Sequence, residues 1–348
     1  MTDISKGRIL VTGGAGFIGS ALIWELNRRG LKNILVSDML GQDEKWKNLV
    51  PLEFADYIEG DSLLMRLEVA SAHFGDIKTV FHLGACSATT ETDAAYLIQN
   101  NFEFTKALAN FALVEDARFV YASSAATYGC LEEQVSEAIP LRTLRPLNMY
   151  GYSKHLFDCY AEGAGMLNQI TGLKYFNIFG PNEYHKGDMR SVVHKSYYQI
   201  LETAQVSLFK SYRSEFQHGE QRRDFLYVKD AVAATIFLAE HVEGGGLFNI
   251  GSGEANTWLA LVNAIFSSLG QPPKIKFIEM PEALQDKYQY FTCADISKLR
   301  AAGFRQAMTP LPDAVRDYVV NYLIPGRRLG DEGSSPSASP TTAERRSR

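Results

Sequence analysis

The segment Ile9-Leu10-Val11-Thr12-Gly13-Gly14-Ala15-Gly16-Phe17-Ile18-Gly19 decides the fold of this chain. Its apolar start predicts a buried strand, and the apolar residues from Ile18 to Leu26 predict the helix that follows. Gly13 permits a tight turn between them, Gly16 lets the backbone approach a pyrophosphate, and Gly19 lets the helix pack on the strand. Such a unit is typical of dinucleotide binding, because the free N–H groups at the helix N-terminus bind an anion.

An acidic residue follows at a matching distance. Asp38 ends the next apolar strand, Ile34-Leu35-Val36, 19 residues after Gly19, where a carboxylate commonly contacts the adenosine ribose. A glycine pattern alone also occurs in chance loops, but the strand, the helix and the acidic residue together indicate NAD or NADP. Because a carboxylate repels a 2′-phosphate, Asp38 by itself favours NAD.

Strand-like and helical segments alternate through the first half of the chain and become less regular after Gly180. The predicted strands are 80–83, 118–121, 174–178, 204–210 and 247–250, and the predicted helices are 96–113 and 230–240. This alternation predicts an α/β protein with a Rossmann-like, doubly wound parallel sheet and a smaller C-terminal α/β substrate-binding lobe. We expect residues 1–176 and about 225–250 to form the dinucleotide-binding domain, and about 177–224 and 251–325 the substrate-binding lobe. Residues 326–348, without apolar anchors, are expected to be a disordered tail.

Composition narrows the class of protein. A net charge of −5 over 348 residues argues against nucleic-acid binding, and no apolar run approaches the roughly 18 residues of a membrane span. The polar start, Met1 to Arg8, does not resemble a signal peptide. The four cysteines (Cys86, Cys130, Cys159 and Cys293) have neither metal nor disulfide spacing. We therefore expect a cytoplasmic protein without a metal.

A tyrosine and a lysine give the first catalytic candidates. Tyr150 and Lys154 are four residues apart on a helix predicted after Pro146, so they share one face. A tyrosine hydroxyl is a poor base at neutral pH, but a neighbouring cation favours its phenolate, and lysine can also hold ribose hydroxyls. This spacing also occurs by chance. The pair follows a strand that ends in hydroxyls, at Ser124, on the sheet edge where doubly wound folds bind ligands.

Together these features resemble the extended short-chain dehydrogenase/reductase superfamily. Within it, the chain most resembles the ADP-glyceromanno-heptose 6-epimerases over roughly residues 8–322. The matching segments are 84–91, 123–129, 146–154, 175–177, 185–187, 223–225 and 287–289. The resemblance implies an isomerase of lipopolysaccharide core biosynthesis that converts ADP-D-glycero-D-manno-heptose to its L-glycero epimer at C6 through a transient ketone. It also implies bound NADP and a homo-oligomer, with pentamers known in the family.

The resemblance assigns roles to individual residues. Tyr150 and Lys186 would be the two acid–base groups, Ser124 would bind the reacting oxygen, and Lys154 would support Tyr150 and the cofactor ribose. Taken alone, Lys186 is more typical of an exposed loop lysine, and only its place in the family pattern, with eight residues between it and Asn177, reverses that interpretation. The family favours NADP and Lys45 could offset the charge of Asp38, so NADP is expected, with NAD possible. The implied cofactor contacts are Gly13, Gly16, Phe17, Ile18, Gly19, Asp38, Met39, Lys45, Leu83, Gly84, Ala85, Cys86, Ser87, Asn100, Tyr150, Lys154, Ile178 and Lys186.

The implied substrate contacts include Arg223, whose guanidinium could bind a diphosphate through two hydrogen bonds, although Arg222-Arg223 alone could be a solvated basic pair. Several positions depart from the family pattern: Asp188 replaces a serine, Lys195 replaces a histidine beside His194, and Gly60 replaces a lysine. The loop 217–221 is longer than usual, and segment 209–212 replaces a small acidic one. The full set of implied substrate contacts is Asn177, Asp188, Lys195, Phe209, Lys210, Ser211, Tyr212, Arg223 and Tyr288.

Three alternatives remain. A nucleotide-sugar dehydratase usually has an acidic pair after the strand-end hydroxyl, whereas Ala125-Ala126 follow Ser124 here, which argues against elimination of water. Another nucleotide-sugar epimerase or oxidoreductase of the same superfamily would share most of these motifs. A non-catalytic dinucleotide-binding protein would be expected to lack Tyr150 or Lys154, and both are present.

Overall fold

The computed structural model describes residues 3–70, 76–285 and 288–331. Seven strands form its central sheet; strands are numbered along the whole chain. They are β1 (Arg8–Thr12), β2 (Ile34–Asp38), β3 (Asp56–Glu59), β4 (Ile77–His82), β5 (Arg118–Ser124), β7 (Thr171–Tyr175) and β11 (Gly246–Ile250).

The central sheet is parallel throughout, in the order β11-β7-β5-β4-β1-β2-β3. Strands β2 and β3 lie on one side of β1, and β4, β5, β7 and β11 follow one another on its other side. The order therefore reverses between β1 and β4, and their carboxyl ends border the crevice in which such sheets bind ligands. The predicted Rossmann-like, doubly wound fold is confirmed.

Helices cover both faces of this sheet. Ile9 and Val11 of β1 pack into one apolar core and Leu10 into the other, because successive side chains of a strand point to opposite faces. The helices are α1 (Phe17–Arg28), α2 (Gly60–Ala70), α3 (Ala94–Leu97), α4 (Phe104–Val114), α5 (Met149–Gly163), α6 (Val192–Thr203), α7 (Val228–His241), α8 (Trp258–Ser268), α9 (Glu282–Gln285), α10 (Ser297–Ala301) and α11 (Leu311–Tyr318).

Three smaller sheets lie outside the central one. One contains β8 (Asn177–Phe179), β10 (Arg222–Tyr227) and β12 (Ala255–Thr257); the others pair β9 (Val206–Phe209) with β13 (Ile275–Ile278) and β6 (Gln134–Val135) with β14 (Cys293–Ala294). The single strand predicted at 174–178 is wrong. It comprises the end of β7 and the start of β8, separated at Phe176, whose N–H donates to the carbonyl of Ile250. The apolar run continues across this break, so its pattern could not reveal the change of sheet.

The helix predicted at 96–113 is present but not uniform. The π-helical segment Ile98–Glu103 joins α3 to α4, and such turns are frequent at functional sites. Asn101 lies in this wider turn and is fully buried.

The disordered tail predicted from Gly326 is wrong for its first six residues. Leu329 is completely buried and its N–H donates to Asn182 Oδ1 at 2.9 Å. Arg328 Nε donates to Asn48 Oδ1 at 3.1 Å. Leu329 is thus an apolar anchor that the polar composition around it concealed. The rest of the predicted tail, 332–348, lies outside the described residues, as does Lys287.

Candidate active site

The glycine turn has the geometry that the sequence predicts. Gly13 has φ +68°, and a Cβ there would lie 2.5 Å from Gly84 N. A Cβ on Gly19 would lie 2.0 Å from Gly13 O, so only glycine lets α1 approach the strand this closely. A Cβ on Gly16 would meet only Gly13 O within 3.4 Å. Gly16 is the N-cap of α1 and, as a glycine, places no side chain over the first turn of the helix. This bare backbone fits a pyrophosphate.

Asp38 lies beside this turn and holds it. Its Oδ2 accepts hydrogen bonds from the N–H groups of Ala15 (2.9 Å) and Gly16 (3.1 Å). Its Oδ1 accepts from Met39 N at 2.7 Å and lies 3.3 Å from Lys45 Nζ. Asp38 and Lys45 are therefore together, as the sequence analysis required for offsetting the carboxylate charge. Met39 is exposed at the rim of the turn.

The segment after β4 faces the turn from the other side of the crevice. Leu83 N donates to the carbonyl of Thr12, and Gly84 N donates to Thr12 Oγ1. Ala85 and Cys86 are half-buried, and Ser87 is exposed.

The sequence predicted Asn100 as a contact in this region, but its neighbour Asn101 makes the contacts with the segment after β4. Asn100 donates to Tyr96 O of its own helix. Buried Asn101 instead accepts from Cys86 N (2.8 Å), and donates to Cys86 O (2.9 Å) and Ser153 Oγ (3.0 Å). Asn101 thereby ties the segment after β4 to α5. The adjacent pair of asparagines was the signal, but only the π-turn decides which one points inward.

The catalytic candidates from β5 and α5 converge. Asn148 caps α5 by accepting from Gly151 N, which starts the helix just before Tyr150. The Ser124 side chain lies close enough to the Tyr150 hydroxyl to lower its pKa. Lys154 is buried and its Nζ donates to Ala122 O at 2.8 Å. The end of β5 and this face of α5 are therefore in contact.

Burial controls the charges at this site. It raises the pKa of Tyr150, and the neighbouring Ser124 side chain offsets part of that rise. It also lowers the pKa of Lys154 to about 8, against the charge of Asp158, which raises it. Burial therefore shifts both groups toward their neutral forms, but Lys154 still carries its charge at neutral pH. A phenolate therefore needs further positive charge close by.

Lys186 belongs to the loop after β8 and lies beside the start of α1. It is half-buried, and its Nζ lies 5.1 Å from the centre of the Phe17 ring at the start of α1. Burial lowers the pKa of Lys186, the carboxylate of Glu183 raises it and Lys195 lowers it. This environment differs from that of an ordinary exposed loop lysine. Ile178, in β8 before this loop, is half-buried and pairs with Leu226.

Two of the departures from the family pattern lie near Lys186. Lys195 Nζ donates to the backbone carbonyl of Asp188 at 2.9 Å, and both side chains are exposed. His194 is buried beside the ring of Tyr184, and burial lowers its pKa to about 3. Lys195 therefore remains available to an anion at the rim, whereas His194 is a neutral, packed side chain.

Arg223 is the centre of a second group of predicted residues. Its guanidinium is buried, 5.2 Å from the centre of the Tyr288 ring and 5.7 Å from that of Trp258. Among the described residues no carboxylate lies within ion-pair distance of it. Phe209 packs edge-on against Tyr288 with ring centroids 6.4 Å apart. A buried cation between aromatic rings is suited to a diphosphate. Trp258, which sequence reasoning missed, carried no motif signal.

The remaining substrate candidates form the rim of this region. Lys210 and Tyr212 both bind Glu279, and Ser211 N donates to His218 Nδ1. Ser211 and Tyr212 line an open pocket of about 770 Å³. Asn177 is exposed at the start of β8.

Two findings concern other kinds of site. Across the described ranges, no group of three or more His, Cys, Asp and Glu side chains could hold a metal ion. No helix in the same ranges is long and apolar enough to cross a membrane.

Comparisons with known proteins agree with this geometry. The NAD dependent epimerase/dehydratase family matches residues 9–251. ADP-L-glycero-D-manno-heptose-6-epimerase of Nitratidesulfovibrio vulgaris (strain DP4) is 48% identical over 316 residues, which cover 90% of this chain and 97% of that protein. That of Fusobacterium nucleatum is 46% identical over 325 residues, covering 90% and 98%.

A solved structure extends the comparison to the fold. The crystal structure of Helicobacter pylori ADP-L-glycero-D-manno-heptose-6-epimerase is 26% identical, has a TM-score of 0.78, and the match covers 92% of this chain and 98% of that one. UDP-glucuronic acid 4-epimerase from Bacillus cereus in complex with NAD is 25% identical, with a TM-score of 0.71 and coverage of 90% and 99%. The chain therefore belongs to the NAD dependent epimerase/dehydratase family and, within it, to the ADP-L-glycero-D-manno-heptose-6-epimerases.

Proposed function

We propose that this protein inverts C6 of the heptose in ADP-D-glycero-D-manno-heptose, giving ADP-L-glycero-D-manno-heptose. The relatives' shared activity supports the substrate. The reaction type is supported by two partly buried ionisable groups from separate elements: Tyr150 of α5, beside Ser124, and Lys186 of the loop after β8, beside the start of α1.

The chemistry explains why two such groups are needed. C6 carries a secondary hydroxyl, and its C–H bond is not acidic. The enzyme therefore cannot invert C6 by removing the proton from carbon and returning it to the other face. A bound nicotinamide dinucleotide supplies a reversible hydride acceptor. One residue takes the hydroxyl proton as C6 becomes a ketone carbon, and the group on the other side returns a proton when hydride comes back to the opposite face. Electrons and protons balance, with no net oxidation.

The family resemblance assigns roles to the chain's own residues. Tyr150 exchanges the proton on one face and Lys186 on the other. Ser124, which lies beside Tyr150, orients the reacting oxygen and stabilises charge that develops on it. Lys154 places a cation beside Tyr150 and the ribose. Arg223 binds the diphosphate, with Tyr288 and Phe209 enclosing it.

We further propose NADP as the preferred dinucleotide. Lys45 lies 3.3 Å from Asp38 Oδ1, so its ammonium offsets the carboxylate that would otherwise repel a 2′-phosphate. NAD remains the alternative, since Asp38 can accept a ribose hydroxyl. Comparing the Kd values for NADP and NAD in wild type and in Lys45→Met distinguishes them. Loss of NADP affinity alone supports the assignment.

We also propose that residues 1–176 and about 225–250, which contain the central sheet, form the dinucleotide-binding domain, and that about 177–224 and 251–325 form the substrate-binding lobe. The family resemblance also supports a homo-oligomer, such as a pentamer, and a cytoplasmic location. Light scattering coupled to gel filtration measures the assembly, and fractionation of the source cells measures the location.

The direct test of function is proton NMR of ADP-D-glycero-D-manno-heptose mixed with the purified holoprotein, without added reductant. Appearance of the L-glycero epimer with no release of reduced cofactor supports the proposal. Net accumulation of reduced cofactor would instead indicate an oxidoreductase. No conversion by a protein with bound cofactor would indicate a different nucleotide sugar.

A further inference from the structure

A buried ion pair lies directly behind the catalytic candidates and has no role in the chemistry above. Lys174 of β7 places its Nζ 2.7 Å from Asp158 Oδ2 of α5, and their side chains are 1% and 0% exposed. Lys174 is a charged residue in a strand whose five residues are all buried.

The pair is bonded to the strand end that carries Ser124. Asp158 accepts hydrogen bonds from Tyr121 OH at 2.9 Å and Ser123 Oγ at 2.7 Å. Lys174 Nζ donates to Thr127 Oγ1 at 2.6 Å, and Thr127 Oγ1 donates to the carbonyl of Ser124 at 2.8 Å. The residue before Ser124 and the backbone of Ser124 itself are therefore both connected to this pair.

The pair is also connected to the catalytic helix. Asp158 lies one turn after Lys154 and two turns after Tyr150, so all three belong to the same side of α5. Asp158 is consequently the point at which α5, β5 and β7 are joined by polar contacts beneath the site.

Stability alone is a weak reason for such a pair. Burying two charges costs so much solvation that well-packed apolar residues of similar volume are often equally stable. A fully bonded buried network does, however, fix one relative arrangement of the elements that it joins. Here those elements carry Ser124, Tyr150 and Lys154.

We propose that Asp158 and Lys174 are positioning residues of the epimerisation, which hold Tyr150 and Lys154 of α5 in register with Ser124 at the end of β5. The inference rests on the proposed function of these three residues. Neither member of the pair needs to touch the substrate.

Asp158 also acts on Lys154 through its charge. It raises the pKa of Lys154, as does Cys86 after β4, while burial lowers it. His82 at the end of β4 is acted on by Lys154 and is held neutral, because burial lowers its pKa. Removing the charge of Asp158 should therefore lower the pKa of Lys154, by about one unit for a close charge.

The test compares Asp158→Asn, the double variant Asp158→Asn/Lys174→Met, and the control Asp317→Asn. Asp317 forms an ion pair with Lys229 at 2.7 Å between α7 and α11, and belongs to no part of the site. For each holoprotein we would measure the melting temperature, kcat and KM for the ADP-heptose, and the dependence of kcat on pH. The double variant leaves neither charge without its partner. If Asp158→Asn alone fails to fold, the kinetic test is made with the double variant.

For the folded Asp158 variants we expect kcat to fall 10- to 100-fold, since small misplacements have effects of that size, with KM changed less than about threefold. In Asp158→Asn the alkaline limb of the kcat profile should also move to lower pH, whereas Asp317→Asn should keep the wild-type profile. A stable double variant with wild-type kcat would overturn the proposal.

A second readout separates this proposal from the proposed function. If wild type does not convert the ADP-heptose, the function fails, and the pair is then tested by NMR of ¹³Cε-labelled lysines. The Lys154 signal is identified by its loss in Lys154→Gln. The pKa of Lys154 obtained from this signal should fall by about one unit in Asp158→Asn. An unchanged pKa would overturn the proposed interaction between Asp158 and Lys154.

Discussion

The glycine turn offers a sharp test, because two of its glycines are required for different reasons. A Cβ at residue 19 would lie 2.0 Å from Gly13 O, 1.4 Å inside an ordinary contact that begins at 3.4 Å. The obstacle is backbone, so α1 would have to move away from β1. A Cβ at residue 16 would lie 3.1 Å from the same atom, with its next neighbour 4.0 Å away, and a shift of a few tenths of an ångström suffices.

The two alanine variants should therefore fail in different ways. Overpacking costs about 1–3 kcal/mol or more in a rigid site, so Gly19→Ala should lower Tm by on the order of 5 °C for a chain of this size. Gly16→Ala should cost under about 1 kcal/mol. Its methyl group nevertheless occupies the surface that the pyrophosphate must approach, so the dinucleotide Kd should rise about 100-fold, or about 2.7 kcal/mol.

Calorimetry measures both quantities: a thermal scan gives Tm, and titration with NADP and with NAD gives Kd after bound cofactor is removed. Gly163→Ala is the matched control, since a Cβ on that helical glycine meets nothing within 4 Å. Unchanged dinucleotide binding by folded Gly16→Ala would refute the location of the pyrophosphate. An unchanged Tm for Gly19→Ala would refute the close contact between α1 and Gly13.

Four other changes test the rest of the site. Lys186→Met should reduce kcat by about 10²–10⁴-fold; wild-type epimerisation would exclude Lys186 as an acid–base group. Arg223→Lys should raise KM for the ADP-heptose at least about tenfold, because lysine cannot form the bidentate contact, and titration with ADP should show the same loss. Leu329→Ala should lower the free energy of unfolding, measured in urea, by about 2–4 kcal/mol. If this segment were exposed, the substitution would leave the free energy of unfolding almost unchanged. The pKa of Lys154, about 8, predicts that dinucleotide binding, which uses the ammonium form, is tightest below pH 8 and weakens above it. A Kd that does not change from pH 6.5 to 9.5 would contradict this. In the control Lys154→Gln, the Kd should not change over this pH range.

Short-range features of the site could be predicted from the sequence. The glycine turn lies within the seven residues Gly13 to Gly19, and the Tyr150–Lys154 pair within one helical turn. Their geometry depends on local backbone sterics and helix periodicity, which the residues themselves specify. Alternating apolar segments likewise predicted the parallel sheet, because each buried strand and each amphipathic helix must pack on the other.

Contacts between distant parts of the chain could not be predicted in this way. The sequence indicated that Asp38 meets a ribose, whereas the structure shows that it also holds the N–H groups of Ala15 and Gly16. The change of sheet at Phe176 and the anchoring of Leu329 were missed, because apolar patterning tells which residues are buried but not against what.

The amino-acid sequence by itself determined the glycine turn, the helix that carries Tyr150 and Lys154, and the order of strands and helices, since these depend on neighbours in the chain. Only the tertiary structure decided that Arg223 lies between Tyr288 and Trp258, and that Lys174 meets Asp158. These pairs are separated by 16 to 65 positions in the chain, and they meet because sheet order and helix packing bring their elements together.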